Sequence, residues 1–190
     1  MIGDILAFWF AEGPDTPREA WFRRDSAFDA EIRARFGQLV APAREGALDA
    51  WAATPEGALA LLLVLDQFPR NLFRGAPEAF ASDTHALRLA RRFVLGARMD
   101  LQLAATPRIF LYLPFEHAEE MAAQDQSVAL FEGLRDDPRH ARAGGGIDYA
   151  WRHRAVIARF GRFPHRNAAL GRTSTAAELT YLAMPGAGFG

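Results

Sequence analysis

The sequence predicts an all-α fold: a stack of antiparallel helix pairs, roughly seven to nine helices with short connections and no sheet. Two observations lead to this prediction. Ala, Leu, Arg and Glu dominate the chain, and these residues favour helices. Runs of alternating β-branched residues, which are typical of strands, are absent. Residues 1–190 are expected to form a single helical domain, with a flexible loop at about 136–146 where Pro138 precedes three consecutive glycines.

Three Thr-Pro pairs predict helix starts. In Thr16-Pro17, Thr54-Pro55 and Thr106-Pro107, the threonine hydroxyl is a suitable cap and the proline suits the first helical position. We therefore expect a helix to begin at each of these three points.

Other capping residues and glycines predict further helix ends. Ser26 is expected to open a helix over 27–43, which Pro42 interrupts early. Thr175 and Glu178 have the spacing of a capping box, which indicates the start of the last helix. Three glycines stand where helices are expected to end in the left-handed conformation: Gly46, Gly75 and Gly96.

Charge and composition exclude several classes of protein. The 22 basic and 23 acidic residues give a formal charge of −1 at pH 7, which is not the broad basic field that binds nucleic acid. The chain has no cysteine, which excludes disulfides and cysteine-ligated metals. Its longest apolar run, 58–65, is too short for a bilayer, and the acidic Asp4 is atypical of a signal peptide. We expect a cytoplasmic protein without a nucleic-acid or membrane partner.

The first of four polar groups follows that apolar run. Asp66, Gln67, Arg70 and Asn71 stand at the end of a helix that is apolar on all sides and must therefore be buried. A buried carboxylate requires partners, since unpaired charge is unfavourable in an apolar interior. Two interpretations stay open: Asp66 pairs with Arg70 or Arg74 to close a turn, or the polar residues line a ligand pocket.

The second group lies on a helix predicted over 109–131, which Pro114 is expected to kink. Four hydrogen-bonding side chains share one arc of about 100° on this helix: Glu116, His117, Glu120 and Gln124. A solvated helix face shows the same separation of polar from apolar residues. The alternative is a stripe of acid/base groups that faces a site.

The third group is a single histidine. On a helix over 147–160, His153 points towards apolar neighbours and therefore into the core. Either local hydrogen bonds satisfy it, or it meets Glu116 or Glu120, or it reaches the polar segment at 159–167. The catalytic candidates are accordingly four side chains without an assigned role: Glu116, His117, Glu120 and His153.

The fourth group occupies residues 159–167, where Pro164 forces a break before a short helix. Its candidate ligand contacts are Arg159, Arg162, His165, Arg166 and Asn167. The planar guanidinium group suits a carboxylate or a phosphate, which favours an anion site. The alternative is that these arginines neutralise the acidic stripe of the second group. The order Phe-Pro followed by Arg-Asn occurs both here and at 68–71.

Metal and cofactor motifs are incomplete or absent. His117 and Glu120 are three residues apart, but neither paired Glu-x-x-His motifs nor a His-Glu-x-x-His run occurs, so we predict no metal. Glycine-rich phosphate loops, dinucleotide fingerprints and the G-x-S-x-G elbow are absent too, and we predict no cofactor.

At these same residues the chain resembles the family known as domain of unknown function 924, whose members are largely bacterial. The resemblance rests on ILAFWF at 5–10 with WF at 21–22, LDQFPRNLFRG at 65–75, LPFEHAE at 113–119, and 159–172 followed by ST at 174–175. Ala118, where serine is expected, is a minor departure. The resemblance implies a tetratricopeptide-like, all-helical fold. It implies no reaction and no catalytic residues.

Two functions from different classes are compatible with the sequence. In the first, the polar groups form a pocket for a small carboxylate or phosphate ligand, with acid/base groups beside it. We then expect ten residues to converge on one concave site: Asp66, Arg70, Glu116, His117, Glu120, His153, Arg162, His165, Arg166 and Asn167. In the second, stacked helix pairs bind a peptide or protein tail along an open groove. The sequence makes no prediction of oligomeric state.

Overall fold

The computed structural model describes residues 1–189, and within that range the chain forms helices and turns without a strand. The all-α prediction is therefore confirmed, whereas the tetratricopeptide-like stacking stays a prediction. The α-helical segments are α1 (Ile2–Trp9), α2 (Ser26–Phe36), α3 (Val40–Arg44), α4 (Pro55–Leu62), α5 (Phe68–Leu72), α6 (Asp83–Ala90), α7 (Ala105–Glu116), α8 (Met121–Glu132), α9 (Pro138–Ala141), α10 (Gly146–Phe160) and α11 (Ala176–Leu182).

Several of these segments join into longer rods. A 3₁₀ turn at Gly37–Leu39 connects α2 to α3, a π-helical turn at Leu63–Gln67 connects α4 to α5, and another at Arg91–Gly96 extends α6. Counted as continuous rods of about two turns or more, the described part of the chain has eight helices, which lies within the predicted range. The α9 segment is a single turn inside the predicted loop at 136–146.

The core is built around α4. Residues 58–65 are at most 3% exposed, because α4 packs against α1, α6 and α7 and is surrounded by them. Aromatic rings from several helices close this core: the ring of Trp9 lies 5.7 Å from Phe68 and 5.5 Å from Phe110. Burial of so much apolar surface is the main force that holds the helices together.

Two of the predicted helix starts are confirmed by their caps. The Thr54 hydroxyl accepts a hydrogen bond from the Gly57 amide at the start of α4. Thr175 and Glu178 form the predicted capping box at the start of α11. Both signals are local, because the cap and its partner are only three residues apart.

The other two Thr-Pro predictions need correction. The helix expected at Pro17 does not form, because the guanidinium of Arg18 donates to the carbonyl oxygens of Phe8 and Trp9 and residue 18 is extended. Near Thr106 the helix is present but begins earlier, at Ala105. Proline is tolerated throughout the first helical turn, so the Thr-Pro pair does not fix the first residue.

Two further boundaries differ from the prediction. Asp25, not Ser26, caps α2 by accepting from the amides of Ala27 and Phe28. This helix ends at Phe36, before Pro42 is reached. Among the predicted helix-ending glycines, Gly46 and Gly75 have positive φ angles, whereas Gly96 ends a π-helical turn and the left-handed residue is Arg98.

The sequence predicted that the apolar helix ends at Asp66, but the helix continues beyond this residue. The Leu63–Gln67 turn is wider than an α-helical turn, with the Phe68 amide bonded to the carbonyl of Leu63, and the rod then continues to Leu72. Pro69 lacks an amide hydrogen and follows directly after this wider turn, so it cannot donate to the carbonyl oxygens of the preceding turn. Asp66 and Arg70 therefore project from one continuous rod.

The helix expected over 109–131 is two helices. α7 passes through Pro114 and ends at Glu116, and α8 begins at Met121 after Glu120 adopts an extended conformation. The side-chain amide of Gln124 donates to the carbonyl oxygens of Glu116 and Ala118 at 2.7 and 2.8 Å, which satisfies acceptors that the end of α7 leaves open. The predicted polar stripe is therefore broken at residues 117–120.

No helix in residues 1–189 combines the length and the apolar character needed to span a bilayer.

A close contact between Gly57 and residue 51 gives a test of this packing. A Cβ atom at Gly57 would lie 1.8 Å from the carbonyl oxygen of Trp51, so the backbone has to move. We expect Gly57→Ala to lower the free energy of unfolding by about 3 kcal/mol and the Tm by roughly 10 °C. Thermal denaturation followed by circular dichroism measures both.

The matched control is Gly3→Ala in α1, where a Cβ atom meets nothing within 4 Å. This change should stabilise the protein slightly, by roughly 0.5–1 kcal/mol, because alanine favours a helix interior. Equal effects of the two substitutions would contradict the described packing of α4.

Candidate functional site

A buried aspartate, Asp66, holds the side chain of His117, which is 13% exposed. Asp66 is 1% exposed, and its carboxylate oxygens lie 2.8 and 3.0 Å from Nδ1 of His117. The side-chain amide of Gln67 donates to the same carboxylate at 2.6 Å. Burial raises the pKa of Asp66, but Arg70 and His117 outweigh burial and bring the pKa well below its usual range. Asp66 is therefore an anion that accepts hydrogen bonds.

A second carboxylate, Asp83 on α6, joins two arginines that are far apart in the chain. Arg70 binds both oxygens of Asp83 at 2.9 Å, and its Nη1 also lies 3.3 Å from Asp66. Nη1 of Arg166 donates to Asp83 at 3.2 Å. Arg70 and Arg166 are the arginines of the two Phe-Pro segments noted in the sequence, so both segments lead to the same carboxylate.

The guanidinium of Arg166 is enclosed by aromatic rings. Its side chain is 6% exposed, and its central carbon lies 4.7 Å from the ring centre of Phe80 and 4.5 Å from that of Phe163. Within residues 1–189 its buried Nε has no hydrogen-bond partner. Burial and the nearby Arg70 lower the pKa of Arg166 to about 10, so it remains a cation at neutral pH.

Arg166 and His117 line a cleft of about 400 Å³, here named the Arg166 cleft. Its walls combine apolar side chains with a few polar groups. They comprise Pro77, Phe80, Ala81, Asp83, Thr84, Leu87, His117, Ala118, Glu119, Glu120, Arg166 and Leu170.

Behind the cleft, Glu116 and His153 form a buried pair. Nδ1 of His153 lies 3.2 Å from Glu116 and 2.8 Å from the carbonyl oxygen of Tyr149. Burial and the charge of Asp66 raise the pKa of Glu116 to about 8, whereas burial brings the pKa of His153 well below its usual value. The pair is therefore uncharged at neutral pH. The rings of His153 and His117 are 6.3 Å apart.

His165 lies beside this pair without joining it. Its ring centre is 5.6 Å from that of Phe163, and its buried Nδ1 has no partner in the described part of the chain. Burial and Arg166 lower the pKa of His165 to about 3, so the ring is neutral.

Several candidate residues lie elsewhere or serve the fold. Glu120 is half exposed at the rim of the cleft and pairs with Arg91, while Gln124 caps α7 as described above. Asn71 donates to Asp29, and Asn167 donates to Ser174. Each of these four side chains has a partner in the fold, and Glu120 and Gln124 do not form one polar stripe with Glu116 and His117.

Two of the predicted arginines also do not reach the cleft. Arg162 binds both oxygens of Glu178 and the carbonyl of Thr173, which fixes the start of α11. Arg159 is exposed and lies over the ring of Phe160. Of the ten residues expected to converge, Arg162 and Asn167 therefore do not join the others, whereas His117, Glu120 and Arg166 line one cleft.

Asp83, Phe80 and the pair Glu119–Arg172 also belong to the site but were not predicted from the sequence. In that pair, Arg172 binds both carboxylate oxygens of Glu119 at 2.6 and 2.9 Å, while Glu119 also accepts from the Phe163 amide. An acidic residue in the first turn of a helix is common, so the sequence around Asp83 contains no signal of its role.

Among residues 1–189, no group of three histidine or acidic side chains has an arrangement that could hold a metal ion. The absence of a bound metal stays a prediction.

Comparisons with known proteins agree with the fold. The model for the family described as "Bacterial protein of unknown function (DUF924)" matches residues 5–186. The solved structure of a protein of unknown function from Agrobacterium tumefaciens is similar, with a TM-score of 0.84, 39% sequence identity and 96% of each chain covered. No curated relative matches the chain. Function must therefore be argued from the site itself.

The buried Glu116 gives a prediction for stability against pH. Its pKa of about 8 is above its ordinary value of 4.5, so the folded protein holds this proton more tightly than the unfolded chain does. The resulting stability is complete below pH 4.5 and is lost as the pH rises to about 8. The glutamine of Glu116→Gln cannot ionise, so the variant should not lose this stability as the pH rises. The difference in unfolding free energy between variant and wild type should therefore change by on the order of 4 kcal/mol, in favour of the variant.

Urea denaturation at several pH values between 4.5 and 8.5 measures this difference. Glu120→Gln, at the half-exposed rim position, is the control for replacing a glutamate by its amide and should change stability by less than about 1 kcal/mol. A difference between Glu116→Gln and wild type that does not vary with pH would contradict the assignment.

Proposed function

The chain belongs to the DUF924 family of bacterial proteins of unknown function, and we propose that it binds a small anionic molecule, a carboxylate or a phosphate, in the Arg166 cleft. The observation that supports this most directly is the guanidinium of Arg166, a cation that is 6% exposed and lines the cleft, and whose Nε has no hydrogen-bond partner among residues 1–189. A buried guanidinium without a full set of partners is a favourable contact for an anion, because its hydrogen bonds are charge-assisted.

The volume and walls of the cleft suit a small molecule. About 400 Å³ falls within the range of ligand pockets, and apolar walls with a few polar groups are typical of such sites. A peptide or protein tail in an open groove, the other function considered, requires a longer binding surface. The cytoplasm remains the expected location.

Three carboxylates also line the cleft, and each has a basic partner. Asp83 binds Arg70 and Arg166, Glu119 binds Arg172, and Glu120 binds Arg91. These ion pairs neutralise the acidic lining and reduce its repulsion of an anion.

The test is a substitution at Arg166. We expect Arg166→Gln to weaken the binding of inorganic phosphate or pyruvate by about ten-fold or more, which corresponds to roughly 1.4 kcal/mol. Isothermal titration calorimetry measures the affinities, and circular dichroism verifies the helical fold. Arg159→Gln is the control, because Arg159 is exposed and lies outside the cleft.

Equal affinity in wild type and Arg166→Gln, or binding of neither anion by wild type, would refute the proposal. Binding of an extended peptide without competition from either anion would favour the groove.

A further inference from the structure

We propose that the Arg166 cleft is a catalytic site, in which His117 removes a proton from the carbon next to the keto group of a small 2-oxo acid. This inference rests on the proposed function, because the carboxylate of the 2-oxo acid is the anion that Arg166 binds. It goes further in naming a reaction and the base that performs it.

The hydrogen bond to Asp66 determines which nitrogen of His117 acts as the base. Ionised Asp66 can only accept, so the proton of a neutral ring is on Nδ1 and the lone pair is on Nε2. Nε2 has no hydrogen-bond partner among the described residues, and His117 lines the cleft. Burial and Arg70 lower the pKa of His117, which keeps the ring neutral and able to accept a proton at pH 7.

Rigid surroundings keep this base in place. His117 follows the last residue of α7, whose terminal carbonyl is held by Gln124. Asp66, in turn, is held by Gln67 and by Arg70, which binds both its side chain and its backbone oxygen. His117 is thus held both by its own backbone at the end of α7 and by Asp66 on a second helix. A base with so little freedom to move favours catalysis.

Arg166 supplies the second requirement, which is stabilisation of negative charge. When a proton leaves carbon, the electron pair moves into the neighbouring keto group and forms an enolate. A cation already fixed in a site of low polarity stabilises such a developing charge without reorganisation. The guanidinium of Arg166 lines the same cleft as His117, and Phe80, Leu87 and Leu170 provide apolar contacts for the carbon chain.

The step needs no other reactant. The C–H bond breaks, the proton moves to Nε2 of His117, and the bonding electrons become the C=C bond of the enolate. Return of a proton from His117 to carbon restores the 2-oxo acid. In D₂O the base exchanges its proton with solvent, so carbon receives deuterium.

Proton abstraction fits the lining better than covalent catalysis does. The described lining contains one hydroxyl, that of Thr84, and no cysteine or lysine. A base beside a fixed cation is sufficient for enolate formation, whereas a covalent mechanism also requires an activated nucleophile.

Deuterium exchange provides a test that does not depend on the final product. We incubate the full chain with pyruvate or 2-oxobutyrate in D₂O and follow loss of the proton signal next to the keto group by NMR. Wild type should accelerate exchange above the buffer rate. His117→Gln should lower the rate at saturating acid by at least about 100-fold, while the affinity for the acid stays within about three-fold.

The matched control is His85→Gln. His85 also contacts an aspartate, with Nε2 3.1 Å from Asp49, but it lies outside the cleft. This variant should exchange pyruvate at the wild-type rate. If His117→Gln fails to fold, ¹⁵N NMR of wild type gives an independent measurement: the proton of the neutral ring must be on Nδ1.

The outcomes separate the two proposals. If the acids bind through Arg166 but exchange is at the buffer rate, or is equal in wild type and His117→Gln, the catalytic inference is wrong and the binding function stands. If neither acid binds but inorganic phosphate does, the catalytic inference is wrong and the binding function stands. If none of the three anions binds, both proposals are wrong. A neutral His117 with its proton on Nε2 would overturn the catalytic inference alone.

Discussion

The arrangement of the site depends on one carboxylate that two arginines share. Asp83 comes from α6, Arg70 from the rod that contains α4 and α5, and Arg166 from the turn after α10. One carboxylate therefore joins three parts of the chain that are separated in sequence. Removing it would leave two buried guanidinium groups undercompensated, which is far more unfavourable than losing a surface ion pair.

The buried ionisable side chains avoid an unpaired charge in two different ways. Asp66 stays ionised, because Arg70 is close enough to compensate its burial. Asp83 forms ion pairs with Arg70 and Arg166. Glu116 and His153, which have no such cation in contact, are neutral instead. Both solutions avoid an isolated charge in a medium of low dielectric constant. The site thus contains a compensated ionic half and an uncharged half, and His117 lies between them.

The sequence predicted those features whose causes are local. The caps at Thr54 and Thr175 act over three residues, and both were predicted correctly. The break at residues 117–120 depends on Gln124 reaching back to the end of α7. Such a contact is set by packing and is not visible in the helical pattern.

The site also combines features with local causes, which the sequence indicates, and features that depend on packing, which it does not. Burial of Asp66 followed from its position after an apolar run, and pairing with Arg70 or Arg74 was one of the two interpretations left open; the partner is Arg70. Arg162 was expected in the cleft, but its partner, Glu178, belongs to the next helix. Sequence composition alone cannot distinguish arginines that hold a helix in place from those that line a cleft, because the difference lies in partners supplied by the fold.

The π-helical turn at Leu63–Gln67 makes the site sensitive to the length of the chain. Each residue in an α-helix advances the direction of the side chains by about 100°, so one extra residue within a turn rotates everything beyond it by that amount. Asp66 lies inside this turn and Arg70 beyond it. Their relative orientation is thus determined by the number of residues between them as well as by their identities. Insertions or deletions, which surface loops usually tolerate, would here disconnect the ionic network while leaving the helix intact.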